Sequence, residues 1–195
     1  SFRQPNLFDD NISLVCPRSH QVNIENCYFA GNGYAVNVGT ETYSTASINS
    51  TNIYLKNITA NLNGQEITEV APGILASNSY FVINDSFAKI TIDNCQILAN
   101  ETFGSYTGIN SSTFQKFIAI TGKDISILNS AFNGPNQYFT ITATNYAMPT
   151  LWIYPQANLS LSNIKIVGGG LPLQIVGDFP TTASRGKISI NECSI

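Results

Sequence analysis

The sequence predicts an all-β fold, a right-handed parallel β-helix that forms a solenoid of about six rungs with long loops at one corner. Three observations predict it. A short pattern recurs six times, at spacings of 31, 37, 35, 34 and 29 residues. Within each copy aliphatic residues alternate with other residues, as one face of a strand requires. An asparagine recurs at one position of nearly every copy. Repetition at such a period is typical of solenoid proteins.

The repeat predicts two short strands per copy. It reads aliphatic, polar, aliphatic, any residue, Asn, then a small or apolar residue, and its copies with the strand that follows lie near 22–29, 53–60, 90–97, 125–132, 159–166 and 188–195. The two aliphatic positions are predicted to point inward. Two positions of the second strand are also predicted to point inward. The first is occupied by Cys27, Ile58, Cys95, Ser130, Ile164 and Cys193, and the second by Phe29, Ala60, Ile97, Phe132, Ile166 and Ile195.

The recurring asparagine predicts a bend between these strands. Asparagine tolerates the left-handed backbone region better than other non-glycine residues, and stacked amides can bond from rung to rung. An antiparallel sandwich also has short alternating strands, but it gives no reason for an asparagine at one fixed position. The long period and the crossover rule for parallel strands favour a right-handed helix. The predicted ladder is Asn26, Asn57, Asn94, Asn129 and Asn163, with Glu192 in the last copy.

Apolar runs precede four copies, at 81–83, 117–120, 151–153 and 173–176. One rung is therefore predicted to comprise a strand, a short turn, the two strands of the repeat and a longer connection. The long connections run roughly through 31–51, 61–80, 99–115 and 133–150, and we expect them to leave the solenoid at one corner. We interpret 1–195 as a single domain. Because its last residue is inward and no atypical cap follows, we expect a partner subunit or further polypeptide of a longer chain to cover that end.

Composition excludes several kinds of partner. Charged residues make up 11% of the chain, the net charge is −3 and no Lys/Arg cluster occurs, which argues against nucleic acid. No apolar stretch is long enough for a membrane helix. Four cysteines without a CxxC pair and one histidine predict neither a metal nor a cofactor site. Cys27 and Cys95 share an inward position two rungs apart, too far for a disulfide, and are expected to be buried free thiols. Cys16 has no assigned position.

A stack of charged residues is the first candidate for chemistry. Glu25, Lys56 and Asp93 occupy the outward position before the asparagine in successive copies. Glycoside hydrolysis needs two carboxyl groups roughly 5–9.5 Å apart, and two rungs fall at the far end of that range. The alternative, which Lys56 favours, is a solvated charge ladder of little energetic weight. Including acids from the long connections, the candidate catalytic residues are Glu25, Asp93, Glu41 and Glu101.

Aromatic residues in the long connections are the second candidate. Aromatic rings stack on the C–H faces of sugars, and binding residues concentrate in loops on a rigid scaffold. The alternative is that such rings only fasten their own loops to the helix. The candidate glycan-binding residues are Tyr34, Tyr43, Phe103, Tyr106, Tyr138 and Tyr146.

The segments VNIENCYFAGN, ITIDNCQILAN and ISILNSAFNG resemble rungs of the pectin-lyase-like β-helix superfamily, and the chain from 22 to 195 is most similar to bacteriophage tailspike and tail-fibre domains. The resemblance implies an extracellular homotrimer, on the virion tail if the source is a phage, that binds and often cleaves bacterial surface polysaccharide. No local motif carries the family's catalytic residues onto this chain. We expect a receptor- or glycan-binding module. The alternatives are a polysaccharide-degrading hydrolase or lyase and a purely structural fibre segment.

Overall fold

The computed structural model describes residues 2–3, 15–16, 21–32, 36–38, 52–63, 81–99, 117–134, 138–141, 144–147, 149–168, 171–177 and 186–195. In these ranges the regular secondary structure consists of β-strands, joined by bends. The strands are β1 Phe2–Arg3, β2 Val15–Cys16, β3 Gln21–Glu25, β4 Tyr28–Asn32, β5 Val36–Val38, β6 Asn52–Lys56, β7 Thr59–Asn63, β8 Phe81–Asp93, β9 Gln96–Ala99, β10 Ile118–Leu128, β11 Ala131–Asn133, β12 Tyr138–Ile141, β13 Thr144–Ala147, β14 Pro149–Ser162, β15 Lys165–Val167, β16 Leu171–Ile175 and β17 Ile188–Asn191.

Nearly all of these strands belong to two parallel sheets. The six-stranded sheet has the order β1-β4-β7-β9-β11-β15. The nine-stranded sheet contains the order β16-β14-β10-β8-β5-β2. Its other three strands are β6, which pairs with β8, β3, which pairs with β6, and β17, which pairs with β14. A separate antiparallel hairpin consists of β12 and β13. The prediction of an all-β fold with parallel strands is therefore confirmed, and the arrangement is consistent with a parallel β solenoid.

The register of the sheets matches the sequence repeat. The first aliphatic position of each copy pairs with the same position of the next copy, from Val22 through Ile53, Ile90, Ile125 and Leu159 to Ile188. At the bends, the recurring asparagines have φ between 49° and 55°, and Glu192 has φ of 52°. Side chains at equivalent positions of the copies therefore lie in columns across the sheets. A shift of the register by one residue would turn the side chains of the shifted strand to the opposite face.

One continuous apolar core lies between the sheets. The inward positions of the middle copies are completely buried, among them Leu55, Ile92 and Ile97. The last copy differs, because Ile188, Ile190 and Ile195 are 44%, 46% and 58% exposed. The bridge between Lys165 and Ser194 continues the register, so Ile195 lies beside the buried Ile166 and is exposed at the end of the stack. Within the described part of the chain β17 pairs only with β14, so its other side has no neighbouring strand to cover it.

The short turn predicted before the repeat is replaced by bulged strand in three copies. β8, β10 and β14 run through as single strands of 13, 11 and 14 residues. The register shifts between Gly122 and Asp124, where Lys123 faces 86–88 of β8 and 156–157 of β14. Gly122 fits this point because a Cβ there would lie 2.5 Å from Cδ1 of Ile90. Copies of unequal length are thus accommodated as bulges without loss of the flanking register.

Two of the long connections contain strands. β5 lies within the 31–51 connection and joins the nine-stranded sheet between β2 and β8. The β12–β13 hairpin lies within the 133–150 connection. The first connection therefore contributes a strand to the sheet scaffold.

Candidate functional site

Three columns of side chains form the outer face of the strands that carry the repeat. They arise because residues that alternate with core positions point away from the core. The first column is Gln21, Asn52, Lys89, Asp124 and Asn158, followed by Lys187; the second is Asn23, Tyr54, Thr91, Ser126, Ser160 and Ser189; the third is Glu25, Lys56, Asp93, Leu128, Ser162 and Asn191.

An open groove of about 480 Å³ follows the first two columns across the third to sixth copies. We call it the polar groove. Its buried apolar floor carries partly exposed hydroxyl groups from the second column, and charged and amide groups from the first column flank them. The lining residues are Lys89, Ile90, Thr91, Asp124, Ile125, Ser126, Asn158, Leu159, Ser160, Lys187 and Ser189.

Hydrogen bonds hold the middle of the first column in place. Nδ2 of Asn158 donates to Oδ1 of Asp124 over 2.7 Å, and Oδ1 of Asn158 accepts from the backbone N–H of Lys187 over 3.0 Å. Asn158 therefore links three neighbouring strands. The groove presents fixed acceptors at its centre, hydroxyls that can both donate and accept, and ammonium groups towards its two ends.

The predicted carboxylates Glu25 and Asp93 lie in the third column, outside the polar groove. Lys56 lies between them, and two strand spacings place the acids about 10 Å apart along the column. Oδ1 of Asp93 accepts a hydrogen bond of 2.9 Å from Nδ2 of Asn129. Asp93 thus has a structural partner. The other two candidate acids, Glu41 and Glu101, lie outside the described residues.

The asparagine side chains form two hydrogen-bonded segments. In the first, Nδ2 of Asn94 donates to Asn57, and Nδ2 of Asn57 donates to Asn26, each over 2.8 Å. In the second, Asn163 donates to Asn129 over 2.9 Å. Asn129 then donates to the carboxylate of Asp93 in place of the amide of Asn94. A charged acceptor therefore replaces an amide at the middle of the stack.

The aromatic residues predicted to bind glycans are only partly within the described chain. Tyr138 lies on β12 and Tyr146 on β13, where they pair in register with Ala147 and Phe139. These two strands bring both residues to one hairpin. The remaining four candidates, Tyr34, Tyr43, Phe103 and Tyr106, lie outside the described residues.

Sequence reasoning missed an aromatic pair on β14. Trp152 and Tyr154 are partly exposed, and their ring centroids lie 6.0 Å apart with the planes inclined by 36°. The alternation of the strand predicts this exposure. Because Leu151 and Ile153 point inward, Trp152 and Tyr154 must point outward. The first column of the polar groove was missed in the same way, although it directly precedes the first aliphatic position of each copy.

The cysteines of the repeat are free thiols of unequal burial. Cys95 is completely buried, and burial raises the pKa of its thiol to about 11. Cys27 and Cys193 are only partly buried, so the predicted burial of Cys27 needs correction. They belong to the first and last copies, each of which has one neighbouring copy in this chain. Cys16 lies on β2.

In the described ranges no three His, Cys, Asp or Glu side chains lie close enough together to hold a metal ion. Those ranges also contain no helix with the length and apolar character needed to span a membrane. In comparisons with known proteins, no family model matches the chain, and neither a curated protein nor a solved structure gives a significant match.

Proposed function

We propose that this chain is a right-handed parallel β-helix of six rungs that binds an extended glycan receptor along the polar groove. The observation that carries the proposal is the groove itself. It crosses four neighbouring strands and is therefore about 14 Å long in the direction of the helix axis. Its exposed groups are hydroxyl, amide, ammonium and carboxylate, the partners that sugar hydroxyls require.

The repeating construction of the groove suits a repeating ligand. Each strand adds one residue to each column at a spacing of about 4.8 Å, a distance comparable with the length of one sugar unit in an extended chain. The side chains stand on paired strands, and Asn158 and Asp124 are already hydrogen-bonded to each other. Little conformational freedom is then lost when a glycan binds, which favours affinity.

The resemblance to tailspike and tail-fibre domains supports the finer parts of the proposal. We propose that the receptor is a bacterial surface polysaccharide and that the protein acts outside the cell, on the tail of a phage virion, as a homotrimer. The exposed Ile188 and Ile190 supply apolar surface suited to further protein contacts. The molar mass in solution, measured by light scattering, tests the trimer directly.

A substitution that fills the groove tests glycan binding. Ser160 lines the groove, whereas Ser162 lies two residues further along the same strand and outside the lining. Both serines are partly exposed, so Ser162→Trp is a matched control for Ser160→Trp. We expect affinity electrophoresis in gels containing bacterial surface polysaccharides to show retardation of the wild type. Ser160→Trp should weaken that binding at least about tenfold, and Ser162→Trp should not change it.

Two outcomes would contradict the proposal. One is that no polysaccharide of a broad panel retards the wild-type protein. The other is that the two tryptophan variants bind equally well, because the ligand would then lie elsewhere. Circular dichroism of both variants establishes that the fold is retained.

A further inference from the structure

Trp152 and Tyr154 form a second outward surface on β14, which we call the aromatic platform. It lies before the register shift of that strand, whereas the polar groove lies after it. The residues on either side, Leu151 and Ile153, are completely buried and anchor the strand in the core. The separation of 6.0 Å and the tilt of 36° between the two rings are within the range of interacting aromatic pairs.

Among the described residues, the in-register neighbours of the platform carry no charge. Trp152 is paired in register with Ala119 on one side and Gln174 on the other. Tyr154 is paired with Thr121. Ala119 is too small to cover an indole ring, and the Gln174 amide is a donor and acceptor one strand away. The platform thus combines two partly exposed aromatic rings with neutral hydrogen-bonding groups at its edge.

We infer that the aromatic platform is a second glycan-binding site, which takes one neutral pyranose ring by stacking. Pyranose rings present a face of C–H groups and a rim of hydroxyls, which match an aromatic face bordered by an amide. A charged sugar would meet no opposite charge among these neighbours. The inference rests on the proposed function for the class of ligand, but it concerns residues distinct from those of the polar groove.

The chain contains a single tryptophan, so indole emission excited selectively over the nine tyrosines comes from this site. We expect titration with neutral hexasaccharides of glucose, mannose and xylose to produce a saturable change in emission with at least one of them. Hexagalacturonate, which is anionic, should produce a smaller change. Isothermal titration calorimetry on the same samples measures total binding independently of the tryptophan.

Substitutions separate stacking from a general effect on the fold. By calorimetry, Trp152→Ala should weaken binding of the active hexasaccharide at least about fivefold, and Trp152→Phe should restore most of the affinity. Phe87→Ala is the matched control, since Phe87 is an aromatic residue that is 57% exposed on the same sheet. It should bind as the wild type does.

The outcomes distinguish this inference from the proposed function. If a hexasaccharide binds by calorimetry while the emission stays constant and Trp152→Ala binds normally, the platform is not a glycan site and the polar groove remains the proposed one. If the emission responds only to the anionic sugar, the assignment of a neutral ligand is wrong. If no sugar of this set and no surface polysaccharide binds, both proposals fail.

Discussion

At the scale of single residues, asparagine suits the bend of the first five copies for two physical reasons. Its backbone occupies the left-handed region at a lower cost than that of most other residues. Its amide also donates to one neighbouring copy and can accept from the other. Asn57 does both, donating to Asn26 and accepting from Asn94 over 2.8 Å. Backbone conformation and side-chain bonding therefore favour the same residue type.

Replacing Asn57 separates these two contributions. Asn57→Gly keeps the left-handed backbone and loses two hydrogen bonds, so we expect the free energy of unfolding to fall by about 1 kcal/mol. Asn57→Ala loses the same bonds but keeps a Cβ at φ of 53° without the short polar side chain that lowers the cost of this region for asparagine, so the loss should reach about 2–3 kcal/mol. Urea denaturation followed by circular dichroism measures both. The exposed Asn52 lies on the same sheet outside the bend, and Asn52→Ala should change stability by less than about 0.5 kcal/mol. Equal losses for the glycine and alanine variants would show that the backbone conformation costs nothing.

The position after each asparagine accepts both apolar and small polar residues. Oγ of the buried Ser130 donates to the carbonyl of Leu128 over 2.6 Å and accepts from the N–H of Cys95 over 3.0 Å. The thiol of Cys95 points to the carbonyl of Asp93 over 3.4 Å, in the same geometry. A buried hydroxyl is tolerated here because both its donor and its acceptor functions are satisfied.

At the scale of elements, the charged residues of the third column form a stack across the first three copies. Glu25, Lys56 and Asp93 lie on consecutive strands, and Asp93 accepts the amide of Asn129. Such a stack stabilises neighbouring strands slightly, whereas a pair of catalytic acids would need a substrate between them. These two roles predict opposite results for the same substitutions.

We expect the double variant Glu25→Gln, Asp93→Asn to keep its fold and its glycan binding. Asparagine retains an Oδ1 that can accept from Asn129, and the remaining charge of Lys56 is at the surface. The measurement is incubation of both proteins with a polysaccharide that the wild type binds, with assays for new reducing ends and for the absorbance of unsaturated uronate. Turnover by the wild type that disappears in the double variant would establish the polysaccharide-degrading alternative instead.

Much of the element structure followed from the period-two pattern of the sequence. Val22 and Ile24, Ile53 and Leu55, and their equivalents were assigned to the core because only one register buries all of them. The merging of short predicted strands into long ones was harder to predict, because the register shift between Gly122 and Asp124 depends on how residues of three copies pair. The polar groove was missed for a related reason. Lys89 and Asp124 are 35 residues apart in sequence, and only the pairing of β8 with β10 brings them together.

At the scale of the whole molecule, burial changes along the stack of copies. Ile127 in the fourth copy is completely buried, whereas the equivalent Ile190 in the last copy is 46% exposed. In a stack whose copies contact only their neighbours, stability is approximately a sum of terms for each copy and for each interface between copies. The cost of a substitution should therefore depend on its place in the stack.

The same change at the two equivalent positions tests this dependence. Ile127→Ala should lower the free energy of unfolding by about 2–5 kcal/mol, because it leaves a cavity between two neighbouring copies. Ile190→Ala should lower the free energy of unfolding by about 1 kcal/mol, because the side chain of Ile190 buries much less apolar area. Thermal and urea unfolding of the isolated chain measure both. A similar large loss at Ile190 would mean that the last copy is covered in solution, as a homotrimer or another partner would cover it.

The in-register pairing of equivalent positions has a consequence for how the polar groove can change in size. Because β10 pairs with β8 on one side and β14 on the other through equivalent residues, an added duplicate of that unit would meet matching neighbours on both sides. Each duplication would extend the polar groove by about 4.8 Å without redesign of its ends. The length of the groove can thus be set by the number of units, while the chemistry at each step is adjusted by single outward substitutions.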